Sequence, residues 1–288
     1  MPPRPRPLEA AASIPTPMPN PTRVLPVAFT GSHGAYSEEA ARRHFGGSPP
    51  TLTCDSPRDA LRAVADGRAG HAVIAVENSI TGPFDRVADA LFEAEVHVVG
   101  EVHLTIRHCL LAAPGAKLDE IAVVTSHTSA LAQCRDWLAS WGVATRPAHD
   151  TAAAAAELAA SRDAASAVLG SRTLAALYGL DVLAEGLSDR PDNSNRFLVF
   201  AAQPTADADA RRSAALLGPL AAPRALKTLR IQLEARGASR ARVPFLGSSD
   251  GTRFLVEFDH RPGEGPKLAR ETLESLPHRF LGSWLPPM

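Results

Sequence analysis

Residues 191–200 read PDNSNRFLVF and set several polar side chains directly against an apolar run. The first three residues are typical of a turn, but Asn195 and Arg196 fall where the chain should already be entering a core. An arginine fork can bind a carboxylate through two hydrogen bonds, and an amide can donate a hydrogen bond to an oxygen. The segment is therefore the start of an ordinary strand, the edge of an active site, or an active site that has lost a working part.

Polar side chains also stand at four other places where a predicted strand gives way to a helix. They are Ser37 in GAYSEEA, Glu77, Asn78 and Ser79 in VENS, Ser126 and His127 in TSH, and Thr151 in HDT. At a helix N-terminus, unpaired backbone N–H groups and the helix dipole favour an anion, and ligands of open α/β sheets bind beyond the carboxyl ends of the strands. Helix capping alone is enough to explain Ser37 or Thr151, whereas the three polar residues of VENS are costly to bury unless they face water or a ligand. The pattern predicts a cleft that binds a small, doubly negative, oxygen-rich substrate.

Composition excludes several classes of protein. The 288 residues are 45% hydrophobic, and 30 Lys and Arg residues balance 31 Asp and Glu residues, so the net charge of -1 gives no general attraction to nucleic acid or anionic membranes. The three cysteines, Cys54, Cys109 and Cys134, form no CxxC pair and are odd in number, which argues against a disulfide framework and favours a cytoplasmic location. The ten histidines stand in no metal-ligand motif. We therefore expect no metal, no cofactor, and no nucleic-acid or membrane partner.

Short apolar runs rich in β-branched residues alternate with alanine-rich helical stretches over residues 23–202. This alternation predicts an α/β fold with mainly parallel strands, and HVVGEVHLTIRHCLLA, residues 97–112, reads as a single strand. Residues 1–22 are proline-rich and predict a disordered tail, and the polar, aperiodic residues 203–214 predict a linker. Residues 215–288 then follow a βαββαβ order, which predicts a small ferredoxin-like domain.

Seven sequence blocks carry a resemblance to the prephenate dehydratase family, including its arogenate-using plant relatives. In chain order they are GSHGAYSEEAA, AVENSITGPFDRVADAL, GEVHLTIRHCLLA, SHTSALAQC, DTAAAA, LYGLDVLAEGLSD and DNSNRFLVFA. The resemblance covers residues 27–201 and implies a fold similar to type II periplasmic binding proteins, with one lobe over about 23–103 and 185–202 and the other over about 104–184. Residues 215–288 look like the ACT domain that follows in this family.

The resemblance implies a lyase reaction in phenylalanine biosynthesis. Prephenate, or arogenate, loses carbon dioxide and its ring hydroxyl in the cleft between the lobes, which gives phenylpyruvate, or phenylalanine. The implied catalytic residues are Ser79, Thr151, Asn195 and Arg196, and the implied substrate-binding residues are Ser37, Glu77, Asn78, Ser126, His127, Asn193 and Phe197. Among them, Arg196 is expected to bind a substrate carboxylate, because its fork matches that group. The family also implies a homodimer or homotetramer in the cytoplasm.

One position departs from the family pattern at the residue that matters most for the reaction. The family's Asn-x-Thr-Arg-Phe motif has a threonine, assigned to the leaving hydroxyl, where this chain has Asn195. An amide can polarise the leaving group but cannot readily transfer a proton, and losing a positioned acid typically costs about 10²–10⁴-fold in rate. Three alternatives follow: a slower dehydratase that takes its proton from Ser194, Ser79 or a water, a decarboxylase of specialised metabolism that leaves the ring non-aromatic, or a binding protein without catalysis. We take the dehydratase as the working hypothesis because VENS, Arg196 and Thr151 are retained.

The ACT-like domain departs from its family as well. The loop that holds phenylalanine in this family contains Pro-Gly-Ala-Leu, and here Arg224 replaces the glycine before Ala225 and Leu226. A glycine lets the backbone approach a ligand closely, and the second ligand segment, which falls on residues 242–247, is not recognisable. The sequence therefore predicts that an ACT domain remains while its response to a phenylalanine effector is weakened or lost.

Overall fold

The computed structural model describes residues 24–84, 87–205, 207–218, 224–242 and 253–287. The predicted tail and nearly all of the second ACT ligand segment lie outside the described residues. In chain order the strands are β1 (Val27–Thr30), β2 (Thr51–Cys54), β3 (His71–Asn78), β4 (Gly82–Pro83), β5 (His97–Thr105), β6 (Cys109–Ala112), β7 (Val123–His127), β8 (Ala144–Ala148), β9 (Ser166–Gly170), β10 (Asp181–Glu185), β11 (Ser194–Ala201), β12 (Arg212–Leu217), β13 (Ser239–Arg242), β14 (Phe254–Asp259) and β15 (His278–Trp284). The helices are α1 (Tyr36–Phe45), α2 (Pro57–Ala65), α3 (Val87–Glu93), α4 (Thr128–Gln133), α5 (Arg135–Trp141), α6 (Thr151–Ser161), α7 (Arg172–Tyr178), α8 (Arg224–Ala235) and α9 (Gly265–Leu273).

The first lobe is a six-stranded sheet with helices α1 to α3. Its strand order is β2-β1-β3-β11-β5, with the short β4 paired to β3. β1 runs parallel to β2 and β3, but β11 lies between β3 and β5 and is antiparallel to both. α1 covers one face, where Ala40 packs with Val73 and Val199. α2 and α3 cover part of the other face through Leu61 and Leu91, so the sheet is buried on both sides.

The second lobe is a five-stranded sheet with the order β10-β6-β9-β7-β8. α4 and α5 pack on one face through Leu131 and Leu138, and α6 and α7 pack on the other through Leu158 and Leu174. β7 is parallel to β8 and β9, whereas β6 is antiparallel to β9 and β10. The α/β prediction is confirmed. The expectation of mainly parallel strands is wrong for β6, β10 and β11, because these strands lie where the chain passes between the lobes and not in helix-linked repeats.

Two segments connect the lobes, residues 106–108 between β5 and β6 and residues 186–193 between β10 and β11. We call these paired segments the hinge, because the N–H of Ile106 in the first donates to the carbonyl of Asn193 in the second at 2.8 Å. The prediction of one strand over 97–112 is therefore wrong: the structure divides this run into β5 and β6, which belong to different sheets. Strand propensity is the same on both sides of the break, so the pattern does not reveal the change of sheet.

The C-terminal unit is a four-stranded antiparallel sheet, β13-β14-β12-β15, that packs against α8 and α9. Its element order, β12-α8-β13-β14-α9-β15, confirms the predicted βαββαβ order. β12 begins at Arg212, inside the range predicted as a linker. Leu226 is half-buried against the core between sheet and helices, and the side chain of Ala225 lies outside the described part of the chain.

The other face of the C-terminal sheet packs on the first lobe. Leu216, Leu281 and Trp284 belong to the same buried cluster as the apolar side chains of α2 and α3. Gly282 lies so close to β5 that a Cβ there would stand 2.5 Å from the Val98 carbonyl oxygen, and its φ of +141° is a conformation that favours glycine. The C-terminal unit is therefore packed directly on β5, the strand next to β11.

Within the described ranges, no helix combines the length and the apolar character needed to cross a bilayer. The three cysteines are buried and unpaired with one another. No group of three or more His, Cys, Asp or Glu side chains among the described residues is arranged to hold a metal ion.

Candidate functional site

Asn78 is the centre of a group of amide side chains at the end of β3 and the start of β11. It is 1% exposed, and its Oδ1 accepts from the backbone N–H groups of Ile80 and Thr81, both at 2.9 Å. Because these donors identify the oxygen, Nδ2 must be the donor at the other side of the amide. It donates to Oδ1 of Asn193 and to Oδ1 of Asn195, each at 2.8 Å. We call Asn78, Asn193 and Asn195 the asparagine cluster, and it brings together polar residues from two of the segments predicted to form a site.

The asparagine cluster fixes the orientation of Asn195. Its Oδ1 faces Asn78, so Nδ2 is the free end of the amide, and none of the described residues accepts a hydrogen bond from it. The residue is half-buried at the start of β11. What position 195 offers is therefore an N–H donor, which can stabilise an oxygen but does not readily release a proton.

Ser79 fixes the turn in front of β11. Its Oγ donates to the carbonyl of Asp192 at 3.0 Å and accepts from the N–H of Ser194 at 2.9 Å, while its own N–H donates to the Ser194 carbonyl. The hydroxyl proton of Ser79 is thus already engaged, which argues against Ser79 as a proton source. The hydroxyl of Ser194, in contrast, has no hydrogen-bond partner among the residues that the structure describes.

A pair of hydroxyls in the second lobe joins the end of β7 to the start of α6. Ser126 is fully buried, its Oγ donates to the carbonyl of Leu169 at 2.8 Å, and it lies 2.9 Å from Oγ1 of Thr151. Since the Ser126 proton goes to the carbonyl, Thr151 is the donor in the second bond, and its oxygen accepts from the N–H of His127 at 3.2 Å. His127 accepts the N–H of Ser129 on Nδ1, and burial lowers the pKa of His127. Three predicted residues therefore lie together, with their hydrogen bonds directed largely at one another.

Gln133 forms a hydrogen-bond hub at the hinge that the sequence did not predict. It is 3% exposed. Its Oε1 accepts from Nε2 of His108 at 2.8 Å and from Nδ2 of Asn193 at 2.9 Å, and its Nε2 donates to Oγ of Ser129 at 3.0 Å. His108 belongs to the hinge, its Nδ1 lies 3.4 Å from Oη of Tyr36, and burial lowers the pKa of His108, which favours the neutral ring. Gln133 thus connects the second lobe to the hinge and, through Asn193, to the asparagine cluster.

Replacing Gln133 with methionine keeps the side-chain length and removes all three hydrogen bonds. We expect the free energy of unfolding to fall by about 1–3 kcal/mol, because Nε2 of His108 is left as a buried donor without an acceptor and Nδ2 of Asn193 loses one of its acceptors, keeping Oγ of Ser188 at 3.0 Å. Equilibrium unfolding in urea measures this loss. Ser129→Ala removes only one of the three bonds and is the matched control, for which we expect less than half of the loss. Equal losses in the two variants would contradict the role of Gln133 as a hub.

The loop after β1 contacts the second lobe directly. The N–H of Ser32 donates to Oδ2 of Asp150 at 2.7 Å, and Oδ1 of Asp150 accepts the N–H of Ala152 at the start of α6 at 2.8 Å. Gly34 packs so closely on α7 that a Cβ there would lie 2.5 Å from a methyl carbon of Leu174. The two lobes are therefore joined at this loop as well as at the hinge.

Ser37 does not cap α1 as predicted. The helix begins at Tyr36, Ala35 occupies the N-cap position, and a carboxylate oxygen of Glu38 accepts the N–H of Gly34 at 2.7 Å in place of a serine cap. Burial raises the pKa of Glu38, but the hydrogen bonds that its carboxylate accepts outweigh burial and lower the pKa. The hydroxyl of Ser37 has no partner within the described ranges and is left available in the first turn of the helix.

Arg196 is buried in an ion cluster with two protein carboxylates. Its Nε donates to Oε1 of Glu101 at 2.7 Å, and its Nη1 and Nη2 donate to the two carboxylate oxygens of Glu257 at 2.9 and 2.5 Å. The residue is 4% exposed. Burial opposes the charge of Arg196, but Glu257 and Glu101 outweigh burial and raise its pKa. The predicted role of Arg196 as the partner of a substrate carboxylate is therefore corrected, because its guanidinium is committed to the protein.

Two more predicted site residues are engaged elsewhere. Oε2 of Glu77 accepts from Nη2 of Arg242 in β13 at 2.6 Å, so this carboxylate binds the C-terminal unit, and it also lies 3.9 Å from Nη1 of Arg196. Phe197 is fully buried and packs in the core under α1 with Val73 and Val199. The sequence pattern identified the correct strands, but successive side chains of a strand point to opposite faces and meet different neighbours.

The first and second lobes match a known family. The family model described as Prephenate dehydratase matches residues 27–205. Arogenate dehydratase 2 of Petunia hybrida is 39% identical over 180 residues, which make up 62% of this chain and 45% of the relative. The chain thus spans about half the length of the curated relatives that it matches in this way.

Several solved structures resemble the chain over about nine tenths of its length. Prephenate dehydratase from Arthrobacter aurescens, solved in complex with L-Phe, is 28% identical with a TM-score of 0.77, and the match covers 90% of this chain and 89% of that chain. GqqA, described as a novel type of quorum quenching acylases, is 28% identical with a TM-score of 0.74, and the match covers 91% of this chain and 98% of that chain. The likeness therefore includes the C-terminal unit as well as both lobes.

Proposed function

Because the chain belongs to the prephenate dehydratase family, we propose that it is a lyase that converts prephenate to phenylpyruvate, or arogenate to phenylalanine, with loss of carbon dioxide and the ring hydroxyl. The observation that carries the proposal is the asparagine cluster, in which Asn78 orients the amide of Asn195 through a bond of 2.8 Å. An amide held in one orientation is a preorganised donor for an oxygen that gains negative charge. The leaving hydroxyl is such an oxygen.

The reaction makes two chemical demands. Loss of carbon dioxide needs little acid or base, since formation of the aromatic ring drives it. Departure of the hydroxyl needs a hydrogen bond to the leaving oxygen and then a proton. In our proposal, Nδ2 of Asn195 donates the hydrogen bond, and the proton comes from the hydroxyl of Ser194 or from water. Ser79 is the weaker source because its proton is already donated to the carbonyl of Asp192.

The substrate carboxylates need partners other than Arg196, which Glu101 and Glu257 already engage. We assign them to the free hydroxyl of Ser37 at the start of α1 and to the backbone N–H of Thr151 at the start of α6, because Glu38 and Asp150 already accept the N–H groups of Gly34 and Ala152. Ser37 contributes a free hydroxyl in the first lobe. Thr151 contributes the first residue of α6 in the second lobe, and Ser126 and His127 hold it in place. A substrate whose two carboxylates bind at these two places would contact both lobes.

The orientation of Asn195 is also compatible with one alternative, a decarboxylase that leaves the ring non-aromatic. Without a proton donor at the leaving oxygen, the hydroxyl can stay on the ring while carbon dioxide departs and water supplies a proton to the ring carbon. The free Nδ2 group of Asn195 is compatible with either course, because it binds the hydroxyl without protonating it. A binding protein without catalysis is the third possibility.

We further propose that the C-terminal unit is an ACT-like domain with a weakened response to phenylalanine. The Arthrobacter aurescens neighbour was solved with L-Phe, whereas Arg224 here replaces the glycine of the family's ligand loop. A homodimer or homotetramer in the cytoplasm completes the proposal and rests on the family resemblance.

Incubation with prephenate, and separately with arogenate, followed by proton NMR of the products, tests this function. We expect the olefinic ring signals to be replaced by the aromatic signals of phenylpyruvate or phenylalanine, at a rate above that of a protein-free sample. A dihydro-hydroxyphenylpyruvate that keeps olefinic signals would identify the decarboxylase instead. Unchanged substrate with broadened signals would identify a binding protein. Either of these results would overturn the dehydratase assignment.

A further inference from the structure

Glu257 and Arg196 join the C-terminal unit to the strand that carries Asn195. Glu257 lies in β14 and is 2% exposed, and its two carboxylate oxygens accept from Nη1 and Nη2 of Arg196 at 2.9 and 2.5 Å. The two hydrogen bonds run side by side, which fixes the direction of the guanidinium as well as its distance. Arg196 belongs to β11 of the first lobe, directly after Asn195.

The surrounding groups hold this pair from both sides. Oε1 of Glu101 in β5 accepts from Nε of Arg196 at 2.7 Å, and Oε2 accepts from Nε1 of Trp284 in β15 at 3.0 Å. Arg212 in β12 donates to Glu101 at 3.0 Å and to Asp259 in β14 at 2.6 Å. Two strands of the first lobe are thus bonded through buried charges to three strands of the C-terminal unit.

Stability alone is a poor reason for such a cluster. Burying charged groups carries a large desolvation penalty, and apolar side chains of similar volume often serve stability equally well or better. What a bidentate ion pair supplies in addition is a defined position for the strand that carries it.

The pairing of β11 is irregular at this point. Asn195 pairs with Asn78 and Arg196 pairs with Glu77, but Phe197 pairs with Ala75, so the register shifts between Arg196 and Phe197. Regular hydrogen bonding to β3 therefore does not by itself fix the first residues of β11. On its other side β11 stays in register with β5 through this point, where Asn195 pairs with Leu104 and Arg196 with His103. The side chain of Arg196 is therefore a further anchor beside the irregularity with β3.

We propose that Glu257 is a positioning residue for the site: it holds Arg196 through the bidentate pair and thereby sets the location of Asn195 against Asn78. The proposal rests on the function proposed above, in which Asn195 donates to the leaving oxygen. It makes the C-terminal unit a structural part of the site, independent of any effector that this unit binds.

Glu257→Gln tests the proposal, because it keeps the shape of the side chain while removing its charge and one of its two acceptors. We expect kcat on prephenate to fall by about ten- to a hundredfold with KM changed less than twofold, since a displacement of about 1 Å has effects of this size. Glu257→Asp, which keeps the charge on a shorter side chain, should fall between Glu257→Gln and the unchanged protein, and it replaces Glu257→Gln should that variant fail to fold.

Arg279→Met is the matched control. Arg279 of β15 donates to the carbonyls of Leu91 and Ala94 at the end of α3, so it ties the same two units together without touching β11. We expect this variant to unfold at a lower temperature while kcat stays within twofold. If Arg279→Met lowers kcat as much as Glu257→Gln does, or if Glu257→Gln leaves kcat unchanged, the positioning role is wrong.

A second readout does not require activity. The chain has four asparagines, and three of them, Asn78, Asn193 and Asn195, form the asparagine cluster. NMR spectra of protein labelled with ¹⁵N at asparagine should therefore show the cluster's side-chain amides almost alone. We expect the Asn195 amide signals to move in Glu257→Gln and to stay in place in Arg279→Met, and the reverse pattern or equal shifts would overturn the proposal even for a protein that does not turn over prephenate.

Discussion

Replacing Asn195 with threonine is expected to raise kcat for phenylpyruvate formation from prephenate by about 10²–10⁴-fold, the range typical of a positioned acid. Nδ2 of Asn78 now donates to Oδ1 of Asn195 at 2.8 Å. A threonine hydroxyl in that place can accept the same hydrogen bond, which leaves its own proton free for the leaving oxygen. Threonine is also β-branched and suits a strand position. Steady-state kinetics that follow phenylpyruvate by absorbance measure the change.

Asn195→Val is the control for this gain. Valine has the shape of threonine without the hydroxyl, so it reproduces any effect of packing and none of proton transfer. We expect no increase in kcat for the valine variant. A threonine variant with unchanged kcat, or a valine variant with the same gain, would show that the proton at position 195 does not limit the reaction.

Replacing Arg196 with leucine is expected to lower the free energy of unfolding by about 3–5 kcal/mol, because a buried charge loses its partner. Glu257 would keep a carboxylate that is 2% exposed and has lost both of its bonds to the guanidinium. Glu101 would be affected less, since Arg212 still donates to it at 3.0 Å. Urea denaturation of the purified variant measures the loss.

The double variant Arg196→Leu with Glu257→Leu separates an unpaired charge from lost packing. Removing both partners leaves no uncompensated carboxylate at this position, and apolar replacement of a buried ion pair is often close to neutral. We expect the double variant to recover at least half of the stability that the single variant loses. If the double variant is less stable than Arg196→Leu alone, the ion pair contributes more to the stability of the fold than the cost of one unpaired buried charge.

The local pattern of the chain predicted most of the elements and failed where the answer depends on distant segments. HAVIAVEN is one strand from its first residue to its last, as expected. Residues 97–112 look equally strand-like throughout, yet the chain changes sheet at the hinge, because β11 and β9 supply the pairing partners from far along the sequence. Strand propensity indicates that a residue suits a strand, but it does not indicate which sheet that strand joins.

The site was predictable where polar residues mark the ends of strands. VENS and PDNSN meet because β3 and β11 pair directly. Arg196 was misassigned because an arginine that binds a substrate and one that binds Glu257, 61 residues away, look alike in sequence. Gln133 was missed because a glutamine in a helix usually faces water, although its spacing of four residues from Ser129 places both on one face and was a usable signal.

If the proposed substrate binds between the lobes, its affinity depends on how often the bond between the N–H of Ser32 and Oδ2 of Asp150 is broken. A hydrogen bond to a charged group contributes about 1.5–3 kcal/mol, so this contact reduces the population with separated lobes by about ten- to a hundredfold. A substrate that enters through the separated form has its apparent affinity reduced by the same factor. Once the substrate is bound between the lobes, re-formation of the contact retains it. In the proposed function, the bond that hinders the first encounter would therefore also slow product release, and turnover would follow the rate at which the lobes separate.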